Sequence, residues 1–324
     1  MSRRPAKTLL VAATGGHLEQ LYRIRPRLDP QCGEILWVTH DDPQTRSLLH
    51  GENVVTLPYV PPRGYRQVAA NVPTAWRIIR EGRFDRVVST GAGMALPFLA
   101  AGRLHGIECH YIESAARADG PSVTGKIASR MPGMHLYSQY QKWATDRWAY
   151  RGSLFDSFEP RETDAPRIRR VVVTLGTMRT YGFRRAVDRL LQLLPQVTDP
   201  DAQILWQVGV TDPADIPGDV RSSVPNAELR DAIADADLVI AHAGIGSAIT
   251  ALELGKRPVL VPRRPRFDEH VDDHQSLIAG ELHRRRLAVS AEADALTAED
   301  LIDAASARVV STDAAGPFRL RTAS

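Results

Sequence analysis

The residues best able to do chemistry sit beside glycines. His242-Ala243-Gly244-Ile245-Gly246-Ser247 follows the apolar run Leu238-Val239-Ile240-Ala241. Such a run reads as a buried parallel strand, and residues 247–254 read as a helix closed by Gly255. Strand, glycine turn and helix start leave N–H groups uncovered, which suits an anion such as a diphosphate. His242 at the strand end would add a hydrogen-bond donor there. A second turn, Thr14-Gly15-Gly16-His17, follows an apolar run at 8–13 and opens a helix over 18–28. The His17 imidazole has the pKa range of a base that works near pH 7. Glu113, after the predicted strand Glu108–Ile112, is a rival base, because α/β sheets gather ligands at the carboxyl ends of their strands. Each turn could equally order a loop and touch no substrate.

The elements that must position these residues come in two halves. In the first, strands are predicted at 8–13, 35–39, 54–57, 86–90 and 108–112. Helices are predicted at 18–28, around 45–49, at 67–81 and in a short stretch up to Leu104. The helix at 67–81 carries Val68, Val72, Trp76 and Ile79 on one face, with Arg66, Arg77, Arg80 and Arg83 beside it. It either packs on the sheet or approaches anionic lipid head groups. Residues 157–167, with two prolines and many charges, read as a linker. The pattern then restarts, with strands at 170–175, 204–208, 237–241 and 259–261 and helices at 183–194, 227–234 and 298–309. The tail beyond Ser311 is expected to be loose. Two βαβ halves predict an α/β chain of two Rossmann-like domains facing across a cleft, one at 1–160 and one at 168–310.

Composition narrows the function classes. With 324 residues and 43% apolar content, two α/β domains are expected rather than one. The formal charge of +3, from 41 basic and 38 acidic residues, is too mild for a nucleic-acid binder. Cys32 and Cys109 have no metal-ligand spacing, and a disulfide framework is not expected, which fits a reducing cytoplasm. No apolar run approaches the ~18–20 residues of a membrane span, and Arg3-Arg4 leads into a strand rather than a signal peptide. Contact with a membrane would be peripheral. The first turn lacks the GxGxxG spacing of dinucleotide sites, so no nicotinamide cofactor is expected.

Several strings resemble a known family. Val173-Thr174-Leu175-Gly176-Thr177, Gln207-Val208-Gly209, Ala236 to Gly244 and Asp273-His274-Gln275 resemble the donor domain of GT-B glycosyltransferases of the family 28 type. They also resemble the small catalytic subunit of dolichyl-diphosphate GlcNAc transferases and bacterial exopolysaccharide glycosyltransferase subunits of that type. Gly15-Gly16-His17, Gly91-Ala92-Gly93, Tyr111-Ile112-Glu113-Ser114 and Gly125-Lys126-Ile127 are similar to the membrane-partner subunit. The strings run in order over roughly 7–290, so the chain resembles both subunits fused.

The resemblance implies an inverting transferase that needs no cofactor and no metal, with an acceptor-side first domain and a UDP-sugar on the second. No Asp-x-Asp metal motif is expected. Gly176, Thr177, Gly244, Gly246 and the start of the helix at Ser247 would hold the diphosphate, with His242 donating to it. Fixed donors there stabilise the charge that grows on the leaving group. His274 and Gln275 match positions that contact sugar hydroxyls, and Gln207 belongs to a matching string. Where many relatives have an acid for the ribose hydroxyls this chain has Thr250, and Glu253, one turn along the same helix face, is the nearest acid. Either could serve, or Glu253 could be a solvated helix-end charge. His17 matches a family histidine and would be the base, with Glu113 as its rival. The implied acceptor is a polyprenyl-diphosphate-linked saccharide at an anionic membrane surface on the cytoplasmic side. Other readings are a soluble glycosyltransferase of a secondary metabolite, a UDP-sugar epimerase and a non-catalytic sugar-nucleotide sensor.

Overall fold

Parallel strands buried on both faces organise the chain into two units. The computed structural model describes residues 6–28, 32–61, 64–164, 167–176, 180–271, 273–312 and 315–321, with the backbone alone for His274. One unit comprises Met1–Asp156 together with Ala314–Ser324, the other Ser157–Asp313.

The first unit runs β1 (Lys7–Ala12), α1 (Gly16–Ile24), β2 (Glu34–His40), α2 (Pro43–Leu48), β3 (Val54–Leu57), α3 (Tyr65–Ala70), α4 (Val72–Gly82), β4 (Arg86–Gly91), α5 (Ala95–Leu104), β5 (Glu108–Ile112), α6 (Val123–Ala128), β6 (His135–Ser138) and β7 (Trp148–Tyr150). The second runs β8 (Phe158–Glu162), β9 (Ile168–Thr174), α7 (Arg184–Val197), β10 (Thr198–Gln207), β11 (Asp219–Arg221), α8 (Asn226–Asp235), β12 (Leu238–His242), α9 (Ile245–Glu253), β13 (Val259–Val261), α10 (His274–Arg284), β14 (Val289–Ser290), α11 (Ala298–Ala305) and β15 (Ala307–Ser311). The sheet orders are β3-β2-β1-β4-β5-β6-β7 and β11-β10-β9-β12-β13-β14. Every pairing within these two sheets is parallel. In each, the order reverses between two central strands, β1 and β4 or β9 and β12. Loops leave such a pair toward opposite faces, which opens a crevice at the carboxyl edge. Val11, Val87 and Tyr111 pack in one core and Val171, Val173 and Ile240 in the other, as two-sided burial of parallel sheets requires.

Three expectations need correction. The helix predicted at 67–81 is two helices broken at Asn71. Pro73 has no N–H, and its ring would clash with the carbonyl four residues back, which favours a break in the helix just before it. The buried face of α4 is Ala75 and Ile79, whereas Val72 and Trp76 are 50% and 41% exposed. The helix predicted at 298–309 stops at Ala305. Residues 307–311 form β15, which pairs antiparallel with β8 inside the expected linker.

The described part of the tail, residues 315–321, is not loose. Phe318 is fully buried, donates its N–H to the Arg27 carbonyl at 2.6 Å and meets the Tyr137 ring at 5.5 Å between centroids. The Arg321 N–H donates to Tyr137 Oη at 2.7 Å. Phe318→Ala should therefore destabilise the first unit by ~3–5 kcal/mol, the cost of emptying a buried aromatic site. Urea unfolding followed by the near-UV signal of that unit's tyrosines and tryptophans would measure it, and an unchanged midpoint would contradict the burial.

Candidate active site

In the first unit β1 ends at Ala12, and Gly15, at φ 84°, stands as the N-cap of α1. His17 is the second residue of that helix, and its Nδ1 lies 2.8 Å from the Thr90 carbonyl near the end of β4. A carbonyl only accepts, so Nδ1 carries the hydrogen and Nε2 keeps its lone pair. The Thr90 hydroxyl donates back to the His17 carbonyl at 2.7 Å. Burial lowers the ring's pKa below its ordinary 6.5, so the imidazole is neutral near pH 7. Gly91, at φ 116°, lets β4 pass beneath. A Cβ there would lie 3.2 Å from His17 Cε1 and 3.0 Å from the Tyr111 hydroxyl. Among the described residues nothing bonds to His17 Nε2. The atom is a base without a proton.

Glu113 is in a different position. It is fully buried. One oxygen accepts from the Ser114 N–H at 3.0 Å and the Tyr111 hydroxyl at 3.3 Å, the other from the Ser122 N–H at 2.8 Å and hydroxyl at 3.1 Å. Burial, opposed by these hydrogen bonds, pushes its pKa up. The carboxylate ties down the loop before α6, whose first turn Ser122 caps through Gly125 N–H. Gln20 and Gln139 support the same loop. The Gln20 carbonyl accepts from the Ala115 N–H at 2.7 Å and from the Gln139 amide at 3.2 Å. Sequence reading missed both; the one signal for Gln20 was an uncharged polar residue among apolar ones on α1.

The second unit repeats the arrangement from the other strand. His242 ends β12, and its Nδ1 lies 3.3 Å from the Thr174 carbonyl at the end of β9. Gly176, at φ 84°, follows β9, and a Cβ on it would come within 2.8 Å of His242 Cε1. Helix α9 starts at Ile245, two residues earlier than expected, with Gly244 as N-cap and no side chain capping it. Its first N–H groups are thus open to a ligand. Gly255 and Lys256 close the helix by donating to the carbonyls of Leu252 and Ala251, a Schellman ending. A Cβ at Gly246 would meet nothing within 4 Å, so packing does not demand a glycine there. Ser247 and Thr250 are half-buried on α9.

Other expected donor residues are engaged within the protein. Glu253 pairs with Arg230 at 3.3 Å. Gln207 donates to the Thr174 hydroxyl at 2.9 Å and accepts from the Val224 N–H at 2.9 Å. Gln275 is buried, with its carbonyl accepting from the Arg263 N–H at 3.0 Å. Thr177 and the His274 side chain lie outside the described residues. The strings Asp199-Pro200-Asp201 and Asp235-Ala236-Asp237 do have Asp-x-Asp spacing. Asp199 lies beside Arg167 and Arg169, and Asp237 accepts from the N–H groups of Arg169 and Arg170, near the amino end of β9. That is the opposite end of the strand from the glycine turn.

Burial, helped by the charge of Arg263, pushes the His242 pKa down to about 4. The neutral ring with its hydrogen on Nδ1 has an acceptor, not a donor, at Nε2. The expected donation to a diphosphate therefore needs a second proton.

Two Rossmann-like units, each with its glycine turns at the strand-order reversal, define a GT-B glycosyltransferase fold. A structure of Acinetobacter baumannii MurG superposes with TM-score 0.58 at 20% identity, covering 91% of this chain and 88% of that one. Residues 170–307 match the family described as Glycosyltransferase family 28 C-terminal domain, and the chain is similar to glycosyltransferases of that family. It is 26% identical over 301 residues to the UDP-N-acetylglucosamine--N-acetylmuramyl-(pentapeptide) pyrophosphoryl-undecaprenol N-acetylglucosamine transferase of Bordetella pertussis, covering 84% of this chain and 80% of that protein. Over 70 residues it is 43% identical to the UDP-N-acetylglucosamine transferase subunit ALG13 of Yarrowia lipolytica, covering 21% of this chain and 34% of that one.

The state of His242 can be measured. Nitrogen-15 NMR of the ring should show hydrogen on Nδ1 at pH 7 and titration near pH 4. Since the folded pKa lies below the unfolded one, the folded state binds fewer protons between about 6.5 and 4. Stability relative to His242→Gln should then fall as pH drops through that window. A ring protonated at pH 6 would contradict the tautomer and its cause.

Proposed function

We propose that the chain is an inverting, metal-independent hexosyltransferase that moves N-acetylglucosamine from its UDP-sugar to a polyprenyl-diphosphate-linked saccharide in surface polysaccharide synthesis. The observation that carries this reading is the His17 ring, neutral and hydrogen-bonded through Nδ1 with Nε2 open, in a chain whose second unit matches the family 28 domain. The acceptor hydroxyl attacks the anomeric carbon, and its proton passes to His17 Nε2. The bond to the diphosphate breaks as the new glycosidic bond forms on the opposite face, which inverts the configuration. Negative charge then builds on UDP. The open N–H groups at Gly176 and at the start of α9, with Ser247 in its first turn, take up that charge. A diphosphate beside His242 favours the imidazolium, so donor binding draws a proton onto Nε2. Thr250 takes the ribose hydroxyls, because the Glu253 carboxylate is held by Arg230. Glu113 orders the acceptor-side loop.

His17→Ala should lower kcat by ~10²–10⁴ and leave UDP affinity unchanged, since the donor is assigned to the other unit. Turnover of UDP-N-acetylglucosamine with a short polyprenyl-diphosphate-linked monosaccharide, with and without a chelator, is the measurement. Strict dependence on a divalent ion would overturn the metal-free mechanism. Wild-type turnover in His17→Ala would overturn the base.

Attachment to the inner face of the membrane is proposed on a surface of the first unit. Among the described residues no helix is long and apolar enough to cross a membrane. Tyr65, Val72, Trp76 and Leu104 are 66%, 50%, 41% and 75% exposed, and Arg66, Arg77, Arg80 and Arg83 are exposed on or beside α3 and α4. Aromatic and apolar side chains with arginines around them suit an anionic interface. Co-sedimentation with phosphatidylglycerol vesicles should weaken as salt rises, because screening acts over ~8–10 Å, and should weaken further in Trp76→Ser. Recovery in the supernatant at low salt would favour the soluble secondary-metabolite reading.

A further inference from the structure

Arg263, two residues beyond β13, is 1% exposed, and among the described residues no carboxylate lies within ion-pair distance of it. The nearby Glu269 carboxylate is held by Arg185 at 2.9 and 3.0 Å and by the Arg264 N–H at 3.0 Å. The guanidinium instead donates to backbone carbonyls alone. Nη2 bonds Leu175 at 2.7 Å, and Nη1 reaches Tyr181 and Gly182 at 3.0 Å and Glu269 at 3.2 Å. The Phe183 ring lies 4.9 Å from the guanidinium carbon. Burying a cation without an anionic partner is costly, so an apolar residue of similar size would serve packing better.

What the arrangement achieves is orientation. The Leu175–Gly176 peptide is trans and planar, so its C=O and N–H point opposite ways. Drawing the Leu175 carbonyl to the guanidinium turns the Gly176 N–H away from it, on the residue that packs against the His242 ring. Among the described residues nothing accepts that N–H. The same arginine also holds the loop toward α10, through its own N–H to Gln275.

We propose that Arg263 is a positioning residue of the donor site, which aims the Gly176 N–H at the diphosphate of the UDP-sugar without touching it. This rests on the donor reading above. Removing the guanidinium frees the Leu175–Gly176 peptide to rotate, and the diphosphate loses a fixed donor while the uridine end of the ligand does not.

The test compares UDP with uridine on the full chain, by calorimetry for UDP and by NMR shifts for uridine. The variants are Arg263→Met, Arg263→Lys and a control, Lys256→Met. Lys256 is also a buried cation on a carbonyl, that of Ala236 at 2.6 Å, but at the far end of α9. The UDP-to-uridine affinity ratio should fall at least about tenfold in Arg263→Met, as expected for loss of a hydrogen bond to a charged group. It should recover partly in Arg263→Lys and stay at the wild-type value in Lys256→Met. An unchanged ratio, or parallel losses of UDP and uridine, would overturn the proposal. Should Arg263→Met not fold, Arg263→Lys decides alone, and a wild-type ratio there overturns it. A wild-type protein that does not prefer UDP over uridine overturns the donor reading itself, and this role with it.

Discussion

An imidazole pinned through Nδ1 to the last carbonyls of a neighbouring central strand recurs in both units, and much of the proposed chemistry depends on it. In the first unit the histidine follows the first central strand and bonds the second, His17 to Thr90. In the other it ends the second and bonds back to the first, His242 to Thr174. Both pairs sit where the strand order reverses, where the sheet leaves room for a side chain to reach across. The bond sets the tautomer, with the hydrogen on Nδ1 and the lone pair on Nε2. A glycine soon follows each threonine, at 91 and 176, both at positive φ; a Cβ at 176 would collide with the ring and one at 91 would crowd it. The glycine turns and the histidines are thus one device. Neither works as drawn without the other.

Around this device, buried polar side chains hold the loops from beneath. Glu113 and Gln20 fix the loop after β5, Gln207 ties β10 to β9, and Arg263 fixes the segment after β9. A buried polar group left without partners is expensive. Each of these side chains therefore selects the one loop conformation that satisfies it. What faces outward is left to a few groups, the lone pair of His17 and the N–H groups at Gly176 and the start of α9. Residues that hold loops and residues that face the ligand are mostly different ones.

That division explains how far the sequence could be read. The central strands are apolar runs bounded by glycine, and His17, His242, Gly176 and Gly244 stand where the strand–turn–helix pattern puts them. Pattern could not tell a carboxylate that meets a substrate from one buried under a loop, so Glu113 read as a possible base. It could not reveal that Gln207 and Gln275 spend their amides inside the protein. Those bonds join residues 12, 17 and 33 positions apart, and no local rule encodes them. Pro73 did carry the break between α3 and α4, yet the spacing of Val68, Val72 and Trp76 outweighed it. The short pair β8 and β15 joins residues 145 to 153 positions apart, with charged residues that resemble a linker.

The buried tail has a consequence for how the protein is made. Residues 315–321 return to the first unit after the whole second unit has been traversed. The unit synthesised first is therefore completed last. Until Phe318 leaves the ribosome, the groove beside Leu28 and Tyr137 lacks the ring that fills it. The second unit, by contrast, has its closing strand β15 once residue 311 is out. A chain truncated before Phe318 would therefore leave the amino-terminal unit without that buried ring.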